Sequence, residues 1–123
     1  MLALVVDDSR AMRAILTRLL RDLGFDVLEA GDGAQALVVI DGGNIPDVCL
    51  VDWNMPVMDG LGFVRAVRAR EELKDVNLMM VTTESEQDQI VRALAAGAHE
   101  YVIKPFTPEI ITDKLALLGL VAA

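Results

Sequence analysis

Five polar residues close short apolar runs along this chain. Asp7 and Asp8 follow Leu2–Val6, Asp52 follows Val48–Val51, Thr82 follows Leu78–Val81, and Lys104 follows Glu100–Ile103. Three carboxylates gathered without a partner repel one another and raise one another's pKa. A hard divalent cation relieves that repulsion; Mg²⁺ suits a few carboxylates completed by water and phosphate oxygens, and Mn²⁺ accepts the same ligand types. Lysine adds a mobile positive charge, and threonine adds a neutral hydroxyl. The set matches phosphoryl transfer to a carboxylate, which needs a nucleophile, a metal to neutralise the phosphate oxygens and further donors around them. Asp52, alone at the end of a central run, is the expected nucleophile. Asp7 and Asp8 are expected to hold the metal, and Thr82 and Lys104 to grip the phosphoryl group. Taken singly, each has an ordinary reading: the aspartate pair as a helix cap, Asp52 as a turn residue, Lys104 as a solvated lysine. Their joint placement at the ends of four runs is what argues for a site.

The elements that must position them alternate. The runs at Leu2–Val6, Val48–Val51 and Leu78–Val81 are short and uniformly apolar, as expected of strands buried on both faces of a parallel sheet. Asp26–Ala30 and Glu100–Ile103 are weaker strands, the second with the alternation of an edge. Between them, Met12, Ile15, Leu16, Leu19, Leu20 and Leu23 form a helical stripe stopped by Gly24. Asp32 is expected to cap a helix over Ala34–Ile40, ended by Gly42 and Gly43. Leu61–Arg70 forms the next, with Phe63, Val64 and Val67 inward. Ser85 is expected to cap a fourth helix, with Glu86 and Asp88 in its first turn and Ile90, Val91 and Leu94 as its apolar face. Thr107 and Pro108 start a fifth, which turns Ile110, Ile111, Leu115 and Leu118 inward. Five strand–helix repeats with short connections imply right-handed crossovers and a doubly wound α/β sheet. Its ligand crevice lies at the carboxyl ends of the strands.

Length and charge restrict the partners. At 123 residues the chain is the size of one domain, and 1–123 is expected to be a single domain without an output domain. A net charge of −8 repels nucleic acid and anionic lipid. No run is long enough to span a bilayer, so no nucleic acid and no membrane is expected as a partner, and the location is expected to be cytoplasmic. Cys49 lies in an apolar run and is expected to be a small buried residue. His99, in a loop without a partner motif, is expected to be solvated. An electron carrier binding a flavin phosphate would need hydroxyl residues after the first strand, where Asp7 and Asp8 stand.

Five motifs carry a specific resemblance: Val6-Asp7-Asp8-Ser9, Val51-Asp52-Trp53-Asn54-Met55-Pro56-Val57-Met58-Asp59-Gly60, Val81-Thr82-Thr83-Glu84, Ala96-Gly97-Ala98 through Tyr101, and Lys104-Pro105-Phe106. Through them nearly the whole chain resembles the receiver domains of two-component signalling, of the CheY-like chemotaxis type. The resemblance implies a flavodoxin-like (βα)₅ fold with strand order 2-1-3-4-5 and a cis Lys104–Pro105 peptide. It implies that Asp52 is the phosphoacceptor and that Asp8, Asp52 and the carbonyl of Asn54 are the direct Mg²⁺ ligands, with Asp7 acting through water. Lys104 becomes the phosphate-binding lysine, Thr82 and Tyr101 a coupled switch pair, and Asn54 and Glu84 the pair that tunes dephosphorylation. A histidine kinase is the implied donor, and the implied target is a flagellar-motor switch component or a histidine phosphotransfer protein. Such a chain is expected to be monomeric when unphosphorylated, and to be no enzyme beyond catalysing its own phosphorylation and dephosphorylation. A relay or phosphate sink would use the same residues. Two departures are visible. Glu84-Ser85-Glu86-Gln87-Asp88 is acidic where the chemotaxis type carries basic residues, which sets it against an acidic motor peptide. Thr83 replaces a smaller residue beside the pocket, which is expected to narrow its entrance.

Overall fold

The computed structural model describes residues 1–122. Five strands, β1 (Leu2–Val6), β2 (Asp26–Ala30), β3 (Val48–Val51), β4 (Asn77–Thr82) and β5 (Glu100–Ile103), alternate with α1 (Arg10–Asp22), α2 (Gly33–Asp41), α3 (Gly60–Arg68), α4 (Gln87–Ala96) and α5 (Pro108–Leu117). All pairings are parallel and the order is β2-β1-β3-β4-β5. The central strands are apolar throughout because alternate residues enter two cores. Leu4, Val6, Cys49, Val51, Leu78 and Met80 pack with Ile40, Phe63, Val64, Val67 and Ala93 on the α2–α3–α4 side. Ala3, Val5, Val48, Leu50, Met79 and Val81 pack with Leu16, Leu20, Ile111 and Leu115 under α1 and α5. The sequence order reverses between β1 and β3, so their carboxyl ends open the crevice there.

Four helices begin with a side-chain cap: Ser9, Asp32, Asp59 and Thr107 accept from the amides of Met12, Gln35, Gly62 and Ile110. α4 differs from expectation. Glu86, not Ser85, is its N-cap, and its side chain makes no capping bond. The loop before it is anchored elsewhere, because Glu84 is held by Asn54, Tyr101 and Thr82. α4 is also rotated from the expected face: it buries Ala93, while Val91 and Leu94 are exposed. Small residues let α4 sit close on α3, and the larger ones turn outward. Ile15 and Ile110 are likewise exposed, and α3 stops at Arg68, short of Arg70.

His99 is exposed, as expected, but its ring is also held. Its Nδ1 accepts from the amide of Leu78 (3.2 Å), and its own amide donates to the carbonyl of Leu78 (2.8 Å). Burial and the nearby Arg68 push its pKa below the ordinary histidine value. Arg68 donates to the carbonyls of Gly97 (3.0 Å) and Val76 (2.6 Å), which ties α3 to the start of β4 and the end of α4. Cys49 is fully buried, and burial pushes its thiol pKa far up. Among the described residues, no helix is long and apolar enough to cross a membrane.

One residue pays for its place in backbone strain. Val57, in the β3–α3 loop, has φ 68° and is 87% exposed. The left-handed region costs an L-residue roughly 1–2 kcal/mol, and β-branching makes it worse. Asparagine tolerates that region. Val57→Asn is therefore expected to raise stability by about 1 kcal/mol, read as a higher urea midpoint at unchanged slope; no rise would show that the loop relaxes to accommodate valine.

Candidate functional site

The crevice is assembled from strand ends. Asp7 leaves β1 with its amide on the carbonyl of Ala30 in β2, and Asp52 leaves β3 with its amide on the carbonyl of Val6 in β1. These ladder bonds hold both backbones, so only the side chains have freedom. Asp8 follows at once, and one carboxylate oxygen each from Asp7, Asp8 and Asp52 lie within 4.8 Å of one another. Lys104 reaches in from the end of β5: its Nζ is 2.8 Å from Asp7 Oδ2 and 3.5 Å from Asp52 Oδ2. The Lys104–Pro105 peptide is cis, in agreement with the resemblance. One lysine against three carboxylates leaves an excess of two negative charges, which a divalent cation would balance.

Two of the three carboxylates, those of Asp7 and Asp52, are also oriented by backbone amides. Asp7, buried, accepts from the Ser9 amide at 2.8 Å, and Asp52 accepts from the Trp53 amide at 2.8 Å. Burial raises the pKa of Asp52, the Thr82 hydroxyl and the Lys104 charge oppose that rise, and the Asp7 charge adds to it. Thr82, at the end of β4, is fully buried, and its Oγ1 accepts from the Glu84 amide at 3.3 Å. Asn54 Nδ2 donates to a carboxylate oxygen of Glu84, and the Tyr101 hydroxyl donates to the Glu84 carbonyl at 2.7 Å. Burial raises the tyrosine pKa, as do the charges of Glu84 and Asp52. The eight residues picked out from the sequence thus form one connected group, with Glu84 joining Asn54, Thr82 and Tyr101.

Sequence reasoning missed three supports. Arg13 donates to the Asp7 carbonyl at 2.6 Å and pairs with Glu29 at 3.3 Å, fixing the end of β1. Its only signal is a basic residue one helical turn after the Ser9 cap. Arg92 of α4 stands over the ring of Trp53, 6.0 Å from its centroid. No spacing links residues so far apart in sequence. Gly60 donates to the Trp53 carbonyl at 2.8 Å and lies against the backbone of Asp52. The Asp59–Gly60 pair was visible, but its closeness to Asp52 was not.

A parallel sheet of order 2-1-3-4-5, with an acidic crevice at its switch point, places the chain among CheY-like signalling domains of the flavodoxin fold. The family model described as response regulator receiver domain matches residues 3–116, and the chain belongs to that family. It is 49% identical to the chemotaxis protein CheY of Pseudomonas aeruginosa, over 91% of this chain and 90% of that protein. It is 43% identical to chemotaxis protein CheY1 of Helicobacter pylori, over 94% of each. Among solved structures, Vibrio cholerae CheY4 superposes with a TM-score of 0.87 at 37% identity, covering 94% of this chain and 96% of that one.

Proposed function

We propose that this chain is a chemotaxis-type switch that accepts a phosphoryl group on Asp52 from a phosphohistidine of a histidine kinase. An Asp52 carboxylate oxygen would attack phosphorus; the new P–O bond forms as the donor's P–N bond breaks, and the electron pair leaves on the imidazole nitrogen. Asp7, Asp8, Asp52 and the Asn54 carbonyl would hold Mg²⁺, or Mn²⁺ in its place, which neutralises charge on the phosphoryl oxygens. Lys104 and Thr82 supply the remaining donors. The observation that carries this reading is the Lys104 ammonium lying within reach of both Asp7 and Asp52 while three carboxylates converge.

Thr82 and Tyr101 both bond to Glu84, so a Thr82 drawn toward the phosphoryl group would disturb the loop on which the Tyr101 hydroxyl rests. That links the crevice to the α4–β5–α5 face as a shift between two states. The face presents exposed Val91, Leu94, Ile103, Ile110 and Leu117, which supports partner binding, as by a flagellar-motor switch component, over a pure phosphate sink.

The test is incubation with a small acyl phosphate and Mg²⁺, followed by intact mass. One phosphoryl group is expected on the wild type and none on Asp52→Asn; labelling that persists in Asp52→Asn would refute the assignment. Trp53, the only tryptophan, should report Mg²⁺ by a saturable fluorescence change that weakens in Asp8→Ala. The Asn54–Glu84 pair has the right chemistry to position a hydrolytic water. Asn54→Leu and Glu84→Leu are therefore expected to lose phosphate several-fold more slowly than the wild type, and a phosphate-release time course with equal or faster loss in both would exclude that role.

A further inference from the structure

The chain is acidic overall, yet α1 carries four arginines against a single aspartate. Arg13 is engaged with Glu29 and the Asp7 carbonyl. Arg10, Arg18 and Arg21 are exposed and, among the described residues, make no ion pair. Arg65 and Arg92 are likewise exposed without an ion pair, so what sets α1 apart is that three such arginines share a single helix. The three free arginines stand around one groove of about 480 Å³, floored by Ala14 and Thr17. Asp22 and Glu29 are the only acidic residues in its wall. Glu29 belongs to β2, an edge strand, so the groove lies on the β2 flank of α1. It adjoins the apolar groove between α1 and α5 that Ile15, Leu19 and Pro108 line, with Arg18 and Asp22 on the ridge shared by the two. The Thr17 hydroxyl in the floor is buried and has no hydrogen-bond partner, although threonine in a helix has a second rotamer open to it.

We propose that this flank of α1 docks a short acidic polypeptide segment of a partner protein, independently of the phosphoryl chemistry. Arg10 and Arg21 are separated by about 16 Å along the helix at 1.5 Å per residue. One small anion cannot meet both, whereas about five residues of extended chain span that distance at roughly 3.3 Å each. Guanidinium forks match carboxylates in geometry, and the small floor residues let a backbone lie close. A long polyanion fits less well, since beyond α1 it would run onto acidic surface in a chain of net charge −8.

The experiment is a titration of the ¹⁵N-labelled chain with a blocked hexaglutamate peptide, followed by amide chemical shifts. Saturable shifts are expected along Arg10–Asp22 and at Glu29, weakening several-fold as salt is raised. The variant Arg10→Glu/Arg18→Glu/Arg21→Glu should bind at least about tenfold more weakly. Arg65→Glu/Arg70→Glu/Lys74→Glu changes net charge equally and should bind within about twofold of wild type. Equal weakening in both variants, shifts scattered over the surface, or no shift at all would overturn the proposal. So would tighter binding on α1 by a duplex oligonucleotide or by phosphatidylglycerol vesicles, which would assign the groove to nucleic acid or membrane instead.

Discussion

Gly60→Ala is expected to destabilise the fold by about 3 kcal/mol and to slow phosphoryl uptake at Asp52. An alanine Cβ at Gly60 would stand 2.2 Å from the Asp52 carbonyl oxygen and 3.0 Å from Met80 Cε. Neither side can yield cheaply. The Asp52 amide is bonded to Val6 across the sheet, and the Gly60 amide to the Trp53 carbonyl. The chain must move β3, α3 or both, and either shift carries the Asp52 carboxylate away from Lys104. Gly62, two residues on, is the control. A Cβ there meets only side-chain atoms, Asp59 Oδ1 at 3.2 Å and Met58 Cγ at 3.3 Å. Alanine within a helix gains about 1 kcal/mol over glycine, so Gly62→Ala should be near neutral. Urea unfolding of the two variants checks the contrast; equal midpoints would show that β3 is softer than its hydrogen bonds suggest.

Lys104→Met is expected to cost about 3 kcal/mol, because it strands a buried carboxylate without its partner. The Asp7 side chain is 2% exposed and that of Lys104 12%. Methionine keeps the volume and removes the charge. Mg²⁺ should restore more stability to this variant than to wild type, since the crevice then lacks any other cation. The pH dependence has a definite sign. Burial already raises the Asp52 pKa, and the Lys104 charge restrains it. An acid with a raised folded pKa holds its proton more tightly in the fold, so that stabilisation is present at low pH and lost as pH rises through the raised value. Without Lys104 the rise is larger. The deficit of Lys104→Met should therefore be greatest near neutrality and shrink on acidification toward the ordinary carboxylate range. Denaturant melts from neutral pH to about pH 4, with and without Mg²⁺, test both statements; a deficit independent of pH and metal would mean that the loss is one of packing alone.

The sheet was legible because its central strands are apolar on both faces, and the site because strand ends carry its polar groups. Helix faces were legible only where large residues dominate the contact. In α3, Phe63, Val64 and Val67 point inward as their size suggests. In α4 the close approach is made by Ala93, with Ile90 half-buried a turn before it, so of the expected face Val91 and Leu94 were misplaced. Ser85 misled for a related reason: a local capping preference was outweighed by contacts from Asn54 and Tyr101, which are remote in sequence. His99 is exposed as read, but its bond with the Leu78 amide was missed, since nothing near it in the chain announces that partner. Arg92 over Trp53 belongs to the same class of contact, created by the fold between residues that share no spacing.

Cys49 offers a clock. Thiol reagents attack the thiolate, and here that sulfur is sealed in the middle of β3 with its ionisation suppressed. Local fraying at helix ends does not reach it, so modification requires opening of the sheet itself. With an excess of reagent, the labelling rate of the natural chain should equal its unfolding rate. Slower labelling with Mg²⁺ or acyl phosphate would then measure how far each one prolongs the lifetime of the folded state. Conversely, a cysteine introduced on the surface would be the only thiol to react within minutes, so fluorophores can be attached at one chosen position without removing the native residue.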